Sequence, residues 1–398
     1  MTTLSEKART MPASPMRKLV PYAEEAKKRG VKVYHLNIGQ PDIETPREAL
    51  DAIAAMREPI IYYTHSAGKE SYRRGLAEYY NGLGIPPITY EDVLVTTGGS
   101  EAIVFAFMAC LDPGDEVLIP EPFYANYNGF AVEAGVKVVT VGSTIDNDFA
   151  LPPIPEMERA VTDRTRAILI CNPNNPTGYL YSEEEIRELG RMAARHDMFL
   201  IVDEVYREFC YDGASHFSAL NLVEQADNVV MIDSISKRYS MCGARLGAIV
   251  TRNRDIIDAA LRLGQARLCP PFVAQVAAEA ALRTPQSYFD RVKEEYTARR
   301  NLLVSELNKI DGVRCPMPRG AFYAIAELPV DNAEEFARWM LEKFSFEGAT
   351  VMLAPASGFY ATSASGAKQV RIAYVLNKED LTKAVKCLEM GLKEYNRR

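Results

Sequence analysis

One lysine and two arginines sit among three serines in the segment IDSISKRYSMCGARLG, residues 232–247, directly after the apolar run NVVM. Lys237 brings a primary amine that can act as nucleophile or base, and Arg245, eight positions on, brings a permanent cation. Ser234, Ser236 and Ser240 add hydroxyl donors in the same place. Together they read as a dianion site with a nucleophile attached, although a lysine at a strand end can equally be a plain surface charge.

Three further strand ends carry polar groups. In VLVTTGGSEA the turn Gly98, Gly99, Ser100 opens a helix, where unpaired backbone N–H groups and the helix dipole favour a phosphate; the same letters also fit a simple turn. Neither a G-x-G-x-x-G dinucleotide fingerprint nor a Walker loop occurs. In LICNPNNPTG the prolines stiffen a loop from which Asn175 can project an amide toward a ligand, the alternative being a rigid Pro/Asn turn. In FLIVDEVYREF, Asp203 and Glu204 follow four apolar residues, a position that also suits a helix cap or a solvent-facing carboxylate.

The elements that must hold these groups are legible as seven short apolar runs between about 90 and 251: DVLVTTGG, EVLIPEP, KVVTVGS, RAILICNP, MFLIVDEVY, NVVMIDS and LGAIVT. They are apolar on both parities, as strands buried on two faces are, and helical patterns at 100–111 and 182–196 separate several of them. The spacing predicts an α/β fold with a mostly parallel seven-stranded sheet flanked by helices, in which one or two strand pairs depart from simple βαβ order. Open sheets of this kind bind ligands beyond the carboxyl ends of their strands, where the polar clusters fall. Ser182 with Glu185 reads as a capping box, and Pro113-Gly114 as a turn. From about 284 the texture changes to a long amphipathic helix, QSYFDRVKEEYTARRNLLVSELNKI, then the strands GAFYAIAEL and QVRIAYVL and a closing helix from about 378. The expected division is an N-terminal arm with part of a small domain at 1–46, a large domain at 47–283, and the rest of an α+β small domain at 284–398.

Composition narrows the function classes. Hydrophobic residues at 47% and charged residues at 25% are the ordinary globular balance, and a formal charge of -7 leaves no basic excess to neutralise nucleic-acid phosphates. The seven cysteines are scattered without a CxxC pair, so neither a disulfide framework nor a metal site is suggested. With no signal-like h-region and no long apolar stretch, the chain is expected to be cytoplasmic, away from membranes.

SISKRYSMCGARLG resembles the cofactor-lysine motif of the class I aminotransferases of pyridoxal-phosphate fold type I, and NPNNPTG, DEVY, GAFY and VRIAY follow in that family's order. The resemblance covers essentially the whole chain. It implies an aspartate aminotransferase-like enzyme of amino-acid metabolism that moves an amino group between an L-amino acid and a 2-oxo acid, with 2-oxoglutarate/glutamate expected in the second role. It also implies a homodimer with shared active sites. Lys237 is implied as the residue bonded to the cofactor aldehyde and then as the proton carrier, Asp203 as the partner of the pyridine nitrogen, and Asn175 and Tyr206 as donors to the ring's phenolic oxygen. Tyr124 matches the aromatic residue stacked on the ring. The phosphate falls to the backbone of Gly99, Ser100 and Glu101 with Ser234, Ser236 and Arg245, and Tyr63 matches a tyrosine that reaches the phosphate of the neighbouring subunit. Arg371 matches the arginine that grips the substrate carboxylate, and Gly39 lies against it through its backbone.

Substrate choice is where the match thins. Relatives that prefer dicarboxylic amino acids tend to carry lysine where this chain has Ser100, so aspartate, alanine and aromatic amino acids all stay open as donors. Arg267, in GQARLCPP, is expected either to contact a substrate side chain or to form an interface ion pair. A C–S β-lyase is the alternative enzyme on the same fold, and a non-catalytic regulator would need a DNA-binding segment that the first 30 residues do not offer.

Overall fold

The computed structural model describes residues 2–14, 17–361 and 364–398. Strand β1 (Lys32–His35) stands apart from the next seven, β2 (Val93–Thr96), β3 (Glu116–Glu121), β4 (Lys137–Gly142), β5 (Thr165–Cys171), β6 (Phe199–Asp203), β7 (Val229–Ser234) and β8 (Gly247–Val250). These seven form one sheet in the order β2-β8-β7-β6-β5-β3-β4. Six of them, β2 to β7, run in the same direction, and β8, between β2 and β7, lies antiparallel to both. The departure from βαβ order is thus confined to the one strand that returns without a helical crossover.

Alternation along each strand builds two cores. Leu94, Leu169, Ile201 and Ile232 pack on the face covered by the helix Gly98–Cys110, with Ile103 and Phe107. Their neighbours Val95, Ile170, Val202 and Met231 pack on the opposite face with Ile186, Leu189 and Met192 of the helix Glu183–Arg195. Each such side chain contributes about 1.5–3 kcal/mol of burial as an upper figure. This is why the strands read as apolar on both parities. Ser182 caps the second helix as a full capping box: its hydroxyl accepts from the Glu185 N–H while the Glu185 carboxylate accepts from the Ser182 N–H.

The remaining strands are β9 (Tyr323–Glu327), β10 (Ala349–Met352), β11 (Ala354–Pro355) and β12 (Gln369–Ala373). β12 lies between β11 and β9, antiparallel to both, and β1 pairs in parallel with β10. The helices Gln286–Leu307 and Lys378–Tyr395 pack on each other beside them. At the N-terminus the short helix Glu6–Thr10 lies against the helix Asn126–Ala134, where Lys7 Nζ donates to the Glu133 carbonyl at 2.7 Å. The chain then crosses to the helix Val20–Lys28, which packs on β1 and on the helix Ala333–Glu342. Among the described residues no helix is long and apolar enough to cross a membrane.

The tightest backbone approach lies where β8 begins. A Cβ on Gly247 would stand 2.6 Å from the Gly98 carbonyl carbon and 2.7 Å from both the Gly99 nitrogen and the Asp233 oxygen. None of these can swing aside as a flexible side chain would. Overpacking of this kind costs about 1–3 kcal/mol, so Gly247→Ala is expected to lower the melting temperature by several degrees. A melting temperature within one degree of wild type would show that the strand can shift freely.

Candidate active site

Strand parity decides which groups meet. Ile201 faces the helix Gly98–Cys110, so Asp203, two residues on, faces the same way, and Glu204 turns to the other side. Glu204 there accepts from Ser218 Oγ at 3.0 Å and the Ala219 N–H at 2.8 Å, and pairs with Arg207 at 2.8 Å. It is structural. In β7 the same rule sends Ser234 to the cavity and Asp233 beneath the sheet.

A cavity of about 630 Å³ opens at the carboxyl ends of these strands. Gly99, Ser100, Tyr124, Asn175, Asp203 and Tyr206 line it together with Ser234, Ser236, Lys237, Arg245, Gly39 and Arg371. Three expected residues do not line it. Glu101 turns its carboxylate back onto the Thr97 N–H at 2.7 Å. Tyr63 is 75% exposed on the outside of the protomer. Arg267 places its Nη2 3.3 Å from the Val95 carbonyl, 3.4 Å from the Ser66 carbonyl and 3.6 Å from Glu101.

At the phosphate-like end the helix Gly98–Cys110 starts without a side-chain cap, leaving its first N–H groups to the cavity. Ser234 Oγ and Ser236 Oγ are 2.9 Å apart, and Arg245, in the left-handed region at φ 54, lays its guanidinium against Gly98 so closely that a Cβ there would collide with it. The cluster holds several donors and no carboxylate, a composition suited to a dianion.

Lys237 Nζ donates to the Gly39 carbonyl at 2.7 Å and lies 3.6 Å from Cys242 Sγ. Burial lowers its pKa. Asp203 is buried and accepts from Tyr127 Oη at 2.8 Å; desolvation pushes its carboxyl up to about 6. Tyr206 Oη is 2.9 Å from Tyr323 Oη and 3.4 Å from Asn175 Nδ2. Arg371, opposite Ile325 in the β12–β9 pair, is 2% exposed. Its Nη1 donates to Asn175 Oδ1 at 3.2 Å, its Nη2 donates to the Asn37 carbonyl, and its guanidinium sits 4.6 Å from the Tyr323 ring centroid. A Cβ on Gly39 would overlap the Tyr323 hydroxyl, so only glycine fits between that ring and the lysine.

Sequence reasoning assigned no role to Tyr127, Tyr323, Asn37, Cys242 or Arg17, all of which line the cavity. Tyr127 stands three residues after Tyr124, a helical spacing that puts both rings on one face, 5.4 Å apart. Tyr323 lies in the GAFY stretch already singled out. Nothing local marks Arg17 or Asn37.

Residues 31–388 match the family model described as aminotransferase class I and II. The aspartate aminotransferase of Geobacillus stearothermophilus is 34% identical over 91% of this chain and 92% of its own length. Aromatic-amino-acid aminotransferase 2 of Thermococcus litoralis is 31% identical over 98% of each. Among solved structures, an alanine aminotransferase from Pyrococcus furiosus superposes with a TM-score of 0.90 at 33% identity, covering 98% of this chain and all of that one.

The pH dependence of Asp203 follows from its burial. A carboxyl with an ordinary value of 3.8 and a folded value of about 6 binds its proton more tightly in the folded chain. Its contribution to stability is therefore full below about pH 4 and lost as the pH rises through about 6. In the cofactor-free protein, Asp203→Asn is expected to exceed wild type by about 2–3 kcal/mol of unfolding free energy at pH 7.5, a gap that closes toward pH 4. Denaturant melts at a series of pH values check this, and a gap independent of pH would remove the buried-carboxylate reading.

Proposed function

The chain belongs to the class I and II aminotransferases, a pyridoxal-phosphate-dependent family, and is an amino-acid transaminase; from that premise we propose how its own residues divide the work. The observation that carries the proposal is the meeting in one cavity of the buried Lys237 amine, the Asp203 carboxylate and a donor cluster free of carboxylates. These groups fit pyridoxal 5'-phosphate: a dianion cradle, an amine for the aldehyde and a carboxylate for the ring nitrogen. When bound, the cofactor supplies an electron sink for charge developing on the substrate α-carbon.

Gly99, Ser100 and Glu101 hold the phosphate through their N–H groups, with Ser234, Ser236 and Arg245 completing the cradle. Asp203, kept in place by the Tyr127 hydroxyl, would serve the ring nitrogen of the cofactor, and Tyr124 would contribute an aromatic wall for the ring. Asn175 and Tyr206 donate to the ring's phenolic oxygen. Lys237 would hold the cofactor through its amine, and its Nζ, when free, is the base placed to take the substrate α-proton. Its depressed pKa favours this by keeping a larger share of the amine neutral. Arg371, preset by Asn37 and Asn175, grips the α-carboxylate, a planar two-point task that lysine does poorly.

Substrates on this reading are an L-amino acid, among them aspartate, alanine or an aromatic one, and 2-oxoglutarate as acceptor. Two copies form the working unit. The consecutive exposed residues Ile60, Ile61, Tyr62 and Tyr63 make an apolar patch of the kind that interfaces cover, and they extend toward Leu268 and Val273 through the Tyr62–Phe272 ring contact. The partner subunit's Tyr63 then reaches the phosphate. Residues 1–46 and 284–398 act as the small domain and 47–283 as the large one. The seven cysteines form no disulfide, which supports a reducing cytoplasm.

Incubation with an amino acid and 2-oxoglutarate is expected to yield glutamate in equal amount to the new 2-oxo acid, whereas pyruvate and ammonia without an acceptor would mean elimination. Lys237→Ala is expected to abolish turnover while retaining some noncovalent cofactor on the phosphate cradle, read from its visible absorbance; near-normal turnover would refute the assignment. Arg371→Lys is expected to raise KM for the amino donor at least tenfold with cofactor content preserved, and an unchanged KM would remove Arg371 from substrate binding.

A further inference from the structure

We propose that Arg17, on the N-terminal arm, reads a second anionic group at the far end of the substrate, making dicarboxylic amino and 2-oxo acids the preferred class. The inference rests on the transaminase reading above and adds a specificity residue to it.

The argument is an inventory of charge. Four cationic side chains line the cavity, Arg17, Lys237, Arg245 and Arg371, against one carboxylate, Asp203. Three of the cations have assigned tasks. Lys237 serves the aldehyde and the proton, Arg245 lies in the phosphate cluster against Gly98, and Arg371 takes the α-carboxylate. Arg17 is left over. Its side chain forms no hydrogen bond or ion pair with any described residue, so its charge is not consumed by the fold. Arg17 is exposed at the cavity mouth, and a substrate bearing only an α-carboxylate offers it no partner, whereas one with a second carboxylate does.

Its placement is fixed by backbone, not by chance contact. The Arg17 N–H donates to the Ser14 carbonyl at 3.0 Å and the Arg17 carbonyl accepts from the Val20 N–H at 3.1 Å, while Leu19 beside it is 3% exposed and anchors the arm. The arm runs from the helix Asn126–Ala134, held there by Lys7, to the helix Val20–Lys28, and lines the cavity on the way with Ser14, Arg17 and Val20. Ile38 lines it too, between Asn37, which orients Arg371, and Gly39, which holds Lys237. A substrate gripped at its α-carboxylate by Arg371 therefore shares its cavity with a planar donor set suited to a second carboxylate.

The test compares kcat/KM of the holoenzyme for glutamate and aspartate with that for alanine and leucine, alongside calorimetric binding of succinate and propionate. In wild type the acidic donors are expected to lead and succinate to bind more tightly than propionate. In Arg17→Met the acidic-to-neutral ratio should fall at least tenfold, mainly through KM, with a matching loss of succinate affinity. Arg17→Lys should restore part of it, and Arg17→Glu should push the ratio lower still. An unchanged ratio in Arg17→Met, or a wild type that favours neutral substrates, overturns the proposal, as does a melting-temperature loss with no change in ratio, which would make Arg17 a structural strap. Absence of amino transfer from every donor would instead fault the underlying transaminase reading; the succinate and propionate arm still decides the role of Arg17 in that case.

Discussion

The site hangs on one buried ion pair beneath the sheet. Arg238 donates to both oxygens of Asp233 at 2.7 Å, and Tyr80 Oη and the Ser234 N–H add bonds to the same carboxylate at 2.7 and 2.8 Å. Burial alone would push the Asp233 carboxyl up, but Arg238 and Arg207 outweigh it and hold it well below the ordinary range. The pair pins both ends of the turn Ser234–Arg238 from below, so that Ser234, Ser236 and Lys237 are presented above. Losing one member would leave the other charge buried and unpaired, a cost of about 3–5 kcal/mol. The lysine thus owes its place to its neighbour in sequence, whose side chain points the opposite way.

A second division follows. Within one chain the groups proposed for the cofactor come from the ends of the central strands and the loops and helices that follow them, whereas Asn37, Gly39, Tyr323 and Arg371 come from the segments around β1, β9 and β12. On the reading proposed above, cofactor and substrate are held by different parts of the fold, and Asn175 and Tyr206 touch residues of each side. Changes in substrate preference can therefore arise in the second set without disturbing the phosphate cradle.

Much of this was legible in the sequence because it is local. Buried parallel strands announce themselves as apolar on both parities, and Lys237, Arg245 and the serines share one short segment. The capping box at Ser182 needs only four residues to be recognised. What stayed hidden depends on long-range packing. Arg371 sits in a short strand that by itself suits a surface arginine, and only the closure of β12 on β9 buries it. Tyr127 gains meaning solely from Asp203, seventy-six positions away.

The pairing of β1 with β10 joins Lys32 to Ala349 and His35 to Met352, so the first strand made during synthesis hydrogen-bonds to one made more than three hundred residues later. Translation delivers roughly 5–20 residues per second, and for that interval the edge of β1 lacks its native strand partner, with only the helix Val20–Lys28 made early enough to pack on it. The central sheet, by contrast, spans only residues 93–250 and can close while the ribosome is still working. Asn37 and Gly39, which directly follow β1, take their final positions last. The enzyme's cofactor floor thus exists before its substrate wall, and the nascent chain has to be shielded from wrong strand partners in the meantime.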